Sequence, residues 1–150
     1  MKMITRNTDY AVRALCYIAG EGKEFVTAAE MVSALRIPRP FLRKILQTLS
    51  GEGLLESTKG QGGGFALARP AEKLLLTDLI RIFQGSIQLN ECTFKRKACP
   101  NRVACELKCK IDSIERYVLG RLSRVSIASL TRRGNRWNRV PRSAHARRSH

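Results

Sequence analysis

The segment Lys59-Gly60-Gln61-Gly62-Gly63-Gly64 constrains this chain more than any other, because it puts four glycines between two short apolar runs. Leu54 to Ser57 before it and Phe65 to Ala68 after it read as strands, so the segment is the turn of a β-hairpin. Glycine there permits close backbone approach and positive backbone dihedrals. A phosphate-cradling nucleotide loop would need the order Gly-x-x-x-x-Gly-Lys-Ser/Thr opening a helix, whereas this loop leads into a strand. A flexible linker would not carry apolar residues on both flanks.

What precedes the hairpin is helical. A first helix is expected from about Thr5 to Gly20, with Ala11, Leu15 and Ile18 at helical spacing and Gly-Glu-Gly as its stop. Thr27 and Glu30 form a capping box that opens a second, short helix. Ile37-Pro38-Arg39-Pro40 is a turn, and Pro40 suits the first turn of a third helix running to Ser50. That helix places Phe41, Leu42, Ile45, Leu46 and Leu49 on one face and Arg39, Arg43, Lys44, Gln47 and Thr48 on the other. Two helices joined by a tight turn make a helix-turn-helix, whose second helix presents its first residues to base edges in the major groove. A hairpin following it makes a winged helix, with Lys59 or Gln61 at the tip in or beside the minor groove. The expected DNA-contact set is therefore Arg39, Pro40, Arg43, Lys44, Gln47, Lys59 and Gln61 on double-stranded DNA.

Thr77 and Asp78 start another helix that stops at Gly85. Farther on, Ile111, Ile114, Val118, Leu122 and Val125 recur every three or four residues, which predicts one long helix. A stripe of that length has to be covered, so the helix is expected to pack on its copy in a homodimer, with burial inside the monomer as the competing explanation. The fold class is thus mainly α with a small β-hairpin wing. Residues 1–90 are the DNA-binding head, 91–109 a cysteine-rich loop, 110–130 the dimerisation helix and 131–150 a basic disordered tail.

Net charge is +16, from 28 Lys and Arg against 12 Asp and Glu, which suits a polyanionic partner. No acidic residue follows Glu115, while seven arginines lie in the tail, which reads as solvated chain and possible phosphate contacts. No apolar run is long enough to span a bilayer, so no membrane partner is expected. The basic, then apolar amino terminus resembles a signal peptide, but Asp9 and Arg13 interrupt it and an amphipathic helix explains it better. A cytoplasmic location follows, and there thiols stay reduced.

Four of the five cysteines, Cys92, Cys99, Cys105 and Cys109, lie within eighteen residues and can converge on one site at low entropic cost. Iron–sulfur clusters take thiolate ligands, and Lys95, Arg96, Lys97 and Lys108 favour the deprotonated sulfur. A structural zinc is the chemical rival, although its usual close Cys-x-x-Cys pairs are missing. A disulfide redox switch and four unligated thiols are the other readings. Cys16 sits among apolar neighbours as a buried structural thiol, and His145 and His150 lie in the tail. No histidine stands in the folded part, so neither a Ser/His/Asp nor a Cys/His catalytic arrangement can be assembled, and an enzyme is not expected.

Several stretches together resemble the Rrf2 family of bacterial winged-helix regulators, the IscR, NsrR and RirA type. They are Asp9-Tyr10-Ala11-Val12-Arg13-Ala14-Leu15, Ile37-Pro38 with Phe41-Leu42-Arg43-Lys44-Ile45-Leu46, Gly53-Leu54-Leu55, and Lys59-Gly60-Gln61-Gly62-Gly63-Gly64-Phe65-Ala66-Leu67. The resemblance covers about residues 1–130 and implies a homodimeric transcription regulator with a cluster, 2Fe-2S or 4Fe-4S, in each subunit. It further implies that DNA affinity or site preference changes with the cluster's state. By position Cys92, Cys99 and Cys105 match the family's three cysteine ligands. The fourth is open between Cys109, which thiolate softness favours, and Asp9 of the partner subunit. Some members carry a histidine where this chain has Lys108, which cannot ligate. A cluster-free winged-helix interaction module, with a structural zinc or a thiol switch, is the alternative reading.

Overall fold

The computed structural model describes residues 3–87, 89 and 105–131. The first helix, α1 (Arg6–Glu21), starts from Thr5, whose hydroxyl accepts the Thr8 amide, and ends on Gly22 in the left-handed conformation. Its buried side, Ala11, Ala14, Leu15 and Ile18 among others, is the hub of the core. The capping box that opens α2 (Ala28–Leu35) is complete, with Thr27 Oγ1 accepting the Glu30 amide at 3.2 Å and Glu30 Oε2 accepting the Thr27 amide at 2.8 Å. Such a cap contributes about 1 kcal/mol.

Pro38 precedes α3 (Arg39–Gly51), and Pro40 falls in its first turn, where the missing N–H has no intrahelical partner to lose. Leu42, Ile45, Leu46 and Leu49 are all buried. Phe41 is not: it is 54% exposed, which corrects its expected place on the apolar face. The buried stripe centres on Leu42, Ile45, Leu46 and Leu49, and one residue of helix rotates Phe41 by about 100° away from Leu42.

The hairpin pairs β1 (Leu55–Thr58) with β2 (Gly64–Leu67) in antiparallel register, Leu55 opposite Leu67 and Thr58 opposite Gly64. Each strand is offset by one residue from its expected span. A third backbone segment closes the sheet, because Val26 exchanges both amide–carbonyl hydrogen bonds with Phe65, at 2.9 and 2.8 Å. The second strand of the wing is thereby fastened to the residue just ahead of the α2 cap.

A short 3₁₀ turn, Ala71–Lys73, leads to α4 (Leu76–Gln84), which buries Leu79 and Ile80 and stops at Gly85. The expected single helix over 110–130 is two: α5 (Glu106–Leu122) and, after a turn at Ser123, α6 (Ile127–Thr131). The chain turns because residues 125–127 pair with the segment before α4. Leu76 donates to the Val125 carbonyl and Ile127 donates to the Leu74 carbonyl, both at 2.9 Å. Ile127 is fully buried beside α1, so α6 completes the core of the head. By contrast, α5 has no buried residue among its seventeen. No helix among the described residues is long and apolar enough to cross a membrane. Of the expected tail, residues 131–150, Thr131 is instead the last residue of α6, and 132–150 lie outside the described residues.

Candidate nucleic-acid interface and cysteine site

The outward side of α3 is built by exclusion. With four aliphatic residues turned into the core, Arg39, Pro40, Arg43, Lys44 and Gln47 are left exposed on the other side. The first turn of α3 contains no acidic residue, and no side chain caps its start. Its N-terminal backbone dipole is therefore not offset locally and adds to the positive potential of the arginines.

Lys59 and Gln61 stand exposed at the turn of the hairpin, as expected of a wing tip. Two glycines fix that shape for different reasons. Gly60 has φ +100°, a backbone conformation that L side chains rarely adopt. Gly64 is extended, but a Cβ there would lie 2.6 Å from the Val26 carbonyl oxygen, so only glycine lets β2 approach that backbone.

Four ion-paired cations lie away from this surface. Arg13 binds Asp9, Lys23 binds Glu30, Arg81 reaches Asp78 and Lys108 reaches Asp112. Arg39, Arg43, Lys44 and Lys59 make no ion pair among the described residues. Exposed cations on one helix face and one hairpin tip, with no ion pair among the described residues, are suited to an external polyanion.

Of the four candidate ligand cysteines, Cys92 and Cys99 lie outside the described residues. Cys105 is the N-cap of α5, half-buried, and its sulfur accepts the Lys108 amide at 3.4 Å. Cys109 is one helical turn farther on and exposed, its amide donating to the Cys105 carbonyl at 3.1 Å. The two thiols thus stand at the cap and in the first turn of one helix. Lys108 is held by Asp112, whose hydrogen bond and charge raise its ammonium above the usual lysine range, so it is a fixed cation beside the thiols. Asp9 is half-exposed on α1, with its carboxylate engaged by Arg13 Nε at 2.7 Å. Cys16 is buried in the head, and burial pushes its thiol up to about 11, so it stays protonated and takes no part in this chemistry. No group of three or more potential metal ligands occurs among the described residues.

Three features were not read from the sequence. Gln84, the last residue of α4, accepts from the Thr5 amide at 3.0 Å and from the Thr8 hydroxyl at 2.8 Å, while its amide nitrogen donates to the Met3 carbonyl at 2.9 Å. This clamp ties the start of α1 to the point where the chain leaves α4 toward the cysteines. Glu115 on α5 accepts the Leu89 amide at 3.1 Å and anchors the same connection from the other side. Phe41 adds an apolar surface among the cations of α3. Only Phe41 had a sequence signal, its place one residue outside the ideal stripe.

The Rrf2 family model, described as iron-dependent transcriptional regulator, matches residues 4–133. The chain is similar to protein aau3 of Rhizobium meliloti (strain 1021), 38% identical over 89 residues, 59% of this chain and 58% of that one. That match spans less than two thirds of aau3. It is also similar to the HTH-type transcriptional regulator NsrR of Shouchella clausii (strain KSM-K16), 32% identical over 108 residues, 70% of this chain and 72% of that one. In three dimensions it is similar to CymR (YrzC), the global cysteine regulator of B. subtilis, with TM-score 0.73 and 19% identity over 90% of this chain and 100% of the other. At that identity the likeness establishes the winged-helix fold.

Proposed function

The chain belongs to the Rrf2 family of iron-dependent transcriptional regulators, and from that premise we propose that it is a cytoplasmic, homodimeric, DNA-binding repressor or dual regulator and not an enzyme. The observation that carries this reading is the uncapped, unpaired cationic face of α3 beside a wing tip bearing Lys59 and Gln61. With α3 in the major groove, Arg39, Pro40, Arg43, Lys44 and Gln47 face base edges and the groove walls, and the wing lies along the minor groove. The exposed Leu107, Ile114 and Tyr117 of α5 supply the surface that a second copy covers.

The sensor is an iron–sulfur cluster held by Cys92, Cys99, Cys105 and Cys109. Two soft sulfur donors together at the first turn of α5, under an N–H and beside Lys108, fit such a group. Asp9 of a second copy is the other candidate for the fourth ligand, with one carboxylate oxygen, Oδ2, accepting from Arg13 Nε. When bound, the cluster supplies a centre whose charge and integrity respond to iron supply, oxygen or nitric oxide. The chain's own part is to transmit position. Cys105 caps α5, Glu115 holds Leu89, and Gln84 holds Thr5 and Thr8, so a shift of the cysteine segment reaches α1, which packs on α3.

Anaerobic purification followed by a DNA-shift assay before and after cluster removal tests both halves. A brown protein with acid-labile sulfide, whose affinity for a selected duplex changes when iron is stripped, is the expected result. A colourless zinc protein whose DNA affinity ignores iron would replace the sensor with the structural-zinc reading. Arg43→Ala is expected to weaken a selected duplex by about 1–3 kcal/mol if it meets a base edge, and all duplexes equally if it meets phosphate.

A further inference from the structure

The turn between α2 and α3 contains an arginine in a conformation that glycine would adopt more easily. Arg36 is the C-cap of α2, with φ 54° and ψ 31°, held there by its amide donating to the Val32 carbonyl at 3.0 Å. It is the one non-glycine residue with positive φ among those described. A helix commonly ends on such a left-handed residue, but the Cβ of an L residue is crowded there and glycine is the usual occupant. The arginine side chain is exposed and makes no hydrogen bond or ion pair among the described residues. An exposed guanidinium that occupies a glycine-favouring backbone position and is neither hydrogen-bonded nor ion-paired among the described residues points to a partner outside them.

Its position names the partner. Arg36 stands three residues before Arg39, the first residue of α3, and three residues of chain span at most about 11 Å. The major groove is about 12 Å wide, so an α3 seated in it leaves Arg36 at the groove wall, where phosphates and not base edges are presented. A guanidinium matches a phosphate with two parallel hydrogen bonds. We propose that Arg36 is a DNA-backbone contact that anchors the helix-turn-helix turn on a phosphate and sets the register of α3. The proposal rests on the winged-helix reading above.

Equilibrium binding of the full chain, across a salt series, to a random-sequence duplex and to a duplex selected from a random pool by the wild-type protein tests it. Arg36→Gly should raise the thermal unfolding midpoint by roughly 3–5 °C. The same substitution should weaken both duplexes alike, by about 3- to 10-fold, and reduce the salt slope by about one. Arg36→Lys should keep the slope, and Arg36→Gln should lose it without the gain in midpoint. Affinity and slope unchanged in Arg36→Gly would overturn the proposal, as would a loss confined to the selected duplex. Failure of the wild-type chain to bind either duplex would instead remove the winged-helix reading beneath it.

Discussion

Leu42 and Ile114 occupy equivalent positions in amphipathic helices, yet Leu42 is fully buried in α3 and Ile114 is 50% exposed in α5. The same contrast holds for the whole elements. The apolar stripes of α3 and α4 each close on α1, and α6 comes back to pack on α1 as well. Among the described residues the stripe of α5 closes on little, touching mainly α4, and Leu107 and Tyr117 are 65% and 70% exposed. A head that is finished and a helix that is not teach where stability and assembly reside. The first is a property of the described residues of one chain, and the second is where the proposed dimer would form.

The contrast can be broken most severely at its boundary, in α6. If α6 belongs to the head, Ile127→Ala should destabilise the chain by about 2–5 kcal/mol, as for a buried aliphatic truncation anywhere in a core. Phe41→Ala, on the exposed side of α3, should change it by no more than about 0.5 kcal/mol. Denaturant unfolding of the two variants decides. Equal small effects would make α6 an ornament of the tail and leave the head complete without it.

Assembly is expected to respond at α5 and not in the head. Ile114→Glu puts a charge into the stripe and should raise the dimer dissociation constant by about 100-fold, the equivalent of one large apolar side chain, read by sedimentation. The far-ultraviolet helix signal of the head should remain. A monomeric wild-type chain, or a dimer indifferent to this change, would remove α5 as the interface.

How these parts divide in the sequence follows from the range of the interactions that make them. The Thr5 start of α1, the Thr27–Glu30 capping box, the proline-led α3 and the glycine turn are local devices, complete within a few residues. All four were legible, along with the cationic set on α3 and the wing. Phe41 was misplaced because an apolar residue beside a stripe cannot be assigned to it from spacing alone. The Val26–Phe65 bridge and the pairing of residues 125–127 with 74–76 join segments far apart in sequence, and no periodicity announces them. A continuous heptad-like spacing through Val125 hid the break at Ser123 for the same reason: the partner that stops α5 is 50 residues upstream.

The Gln84 clamp is a contact of that long-range kind, and it lies at the junction between head and cysteine segment. Gln84→Ala removes the acceptor of the Thr5 amide and one partner of the buried Thr8 hydroxyl, so it should cost about 1–3 kcal/mol. Hydrogen exchange should accelerate at the amides of Thr5 and Thr8 before it does along α3. Gln84→Glu keeps an acceptor for both groups while losing the donor to the Met3 carbonyl, and should fall between the two. Unchanged exchange in the alanine variant would mean that the clamp does not hold α1.

The smallest expected effect lies at the α2 cap, where a pair stands at the surface. Glu30 is held down to about 2, first by its hydrogen bond from Lys23 and then by those from the Thr27 backbone and hydroxyl. Because the folded value is depressed from 4.5, its contribution is present above that pH and is lost as pH falls through about 2. Glutamine serves as well as glutamate in a capping box, so Glu30→Gln keeps the cap and removes only the charge. The acid arm of the stability profile between pH 4.5 and 2 should flatten slightly in that variant, with little change near neutrality. An acid arm identical to wild type would mean that the cap works without its charge, leaving the Lys23–Glu30 pair a surface contact that contributes nothing to the head.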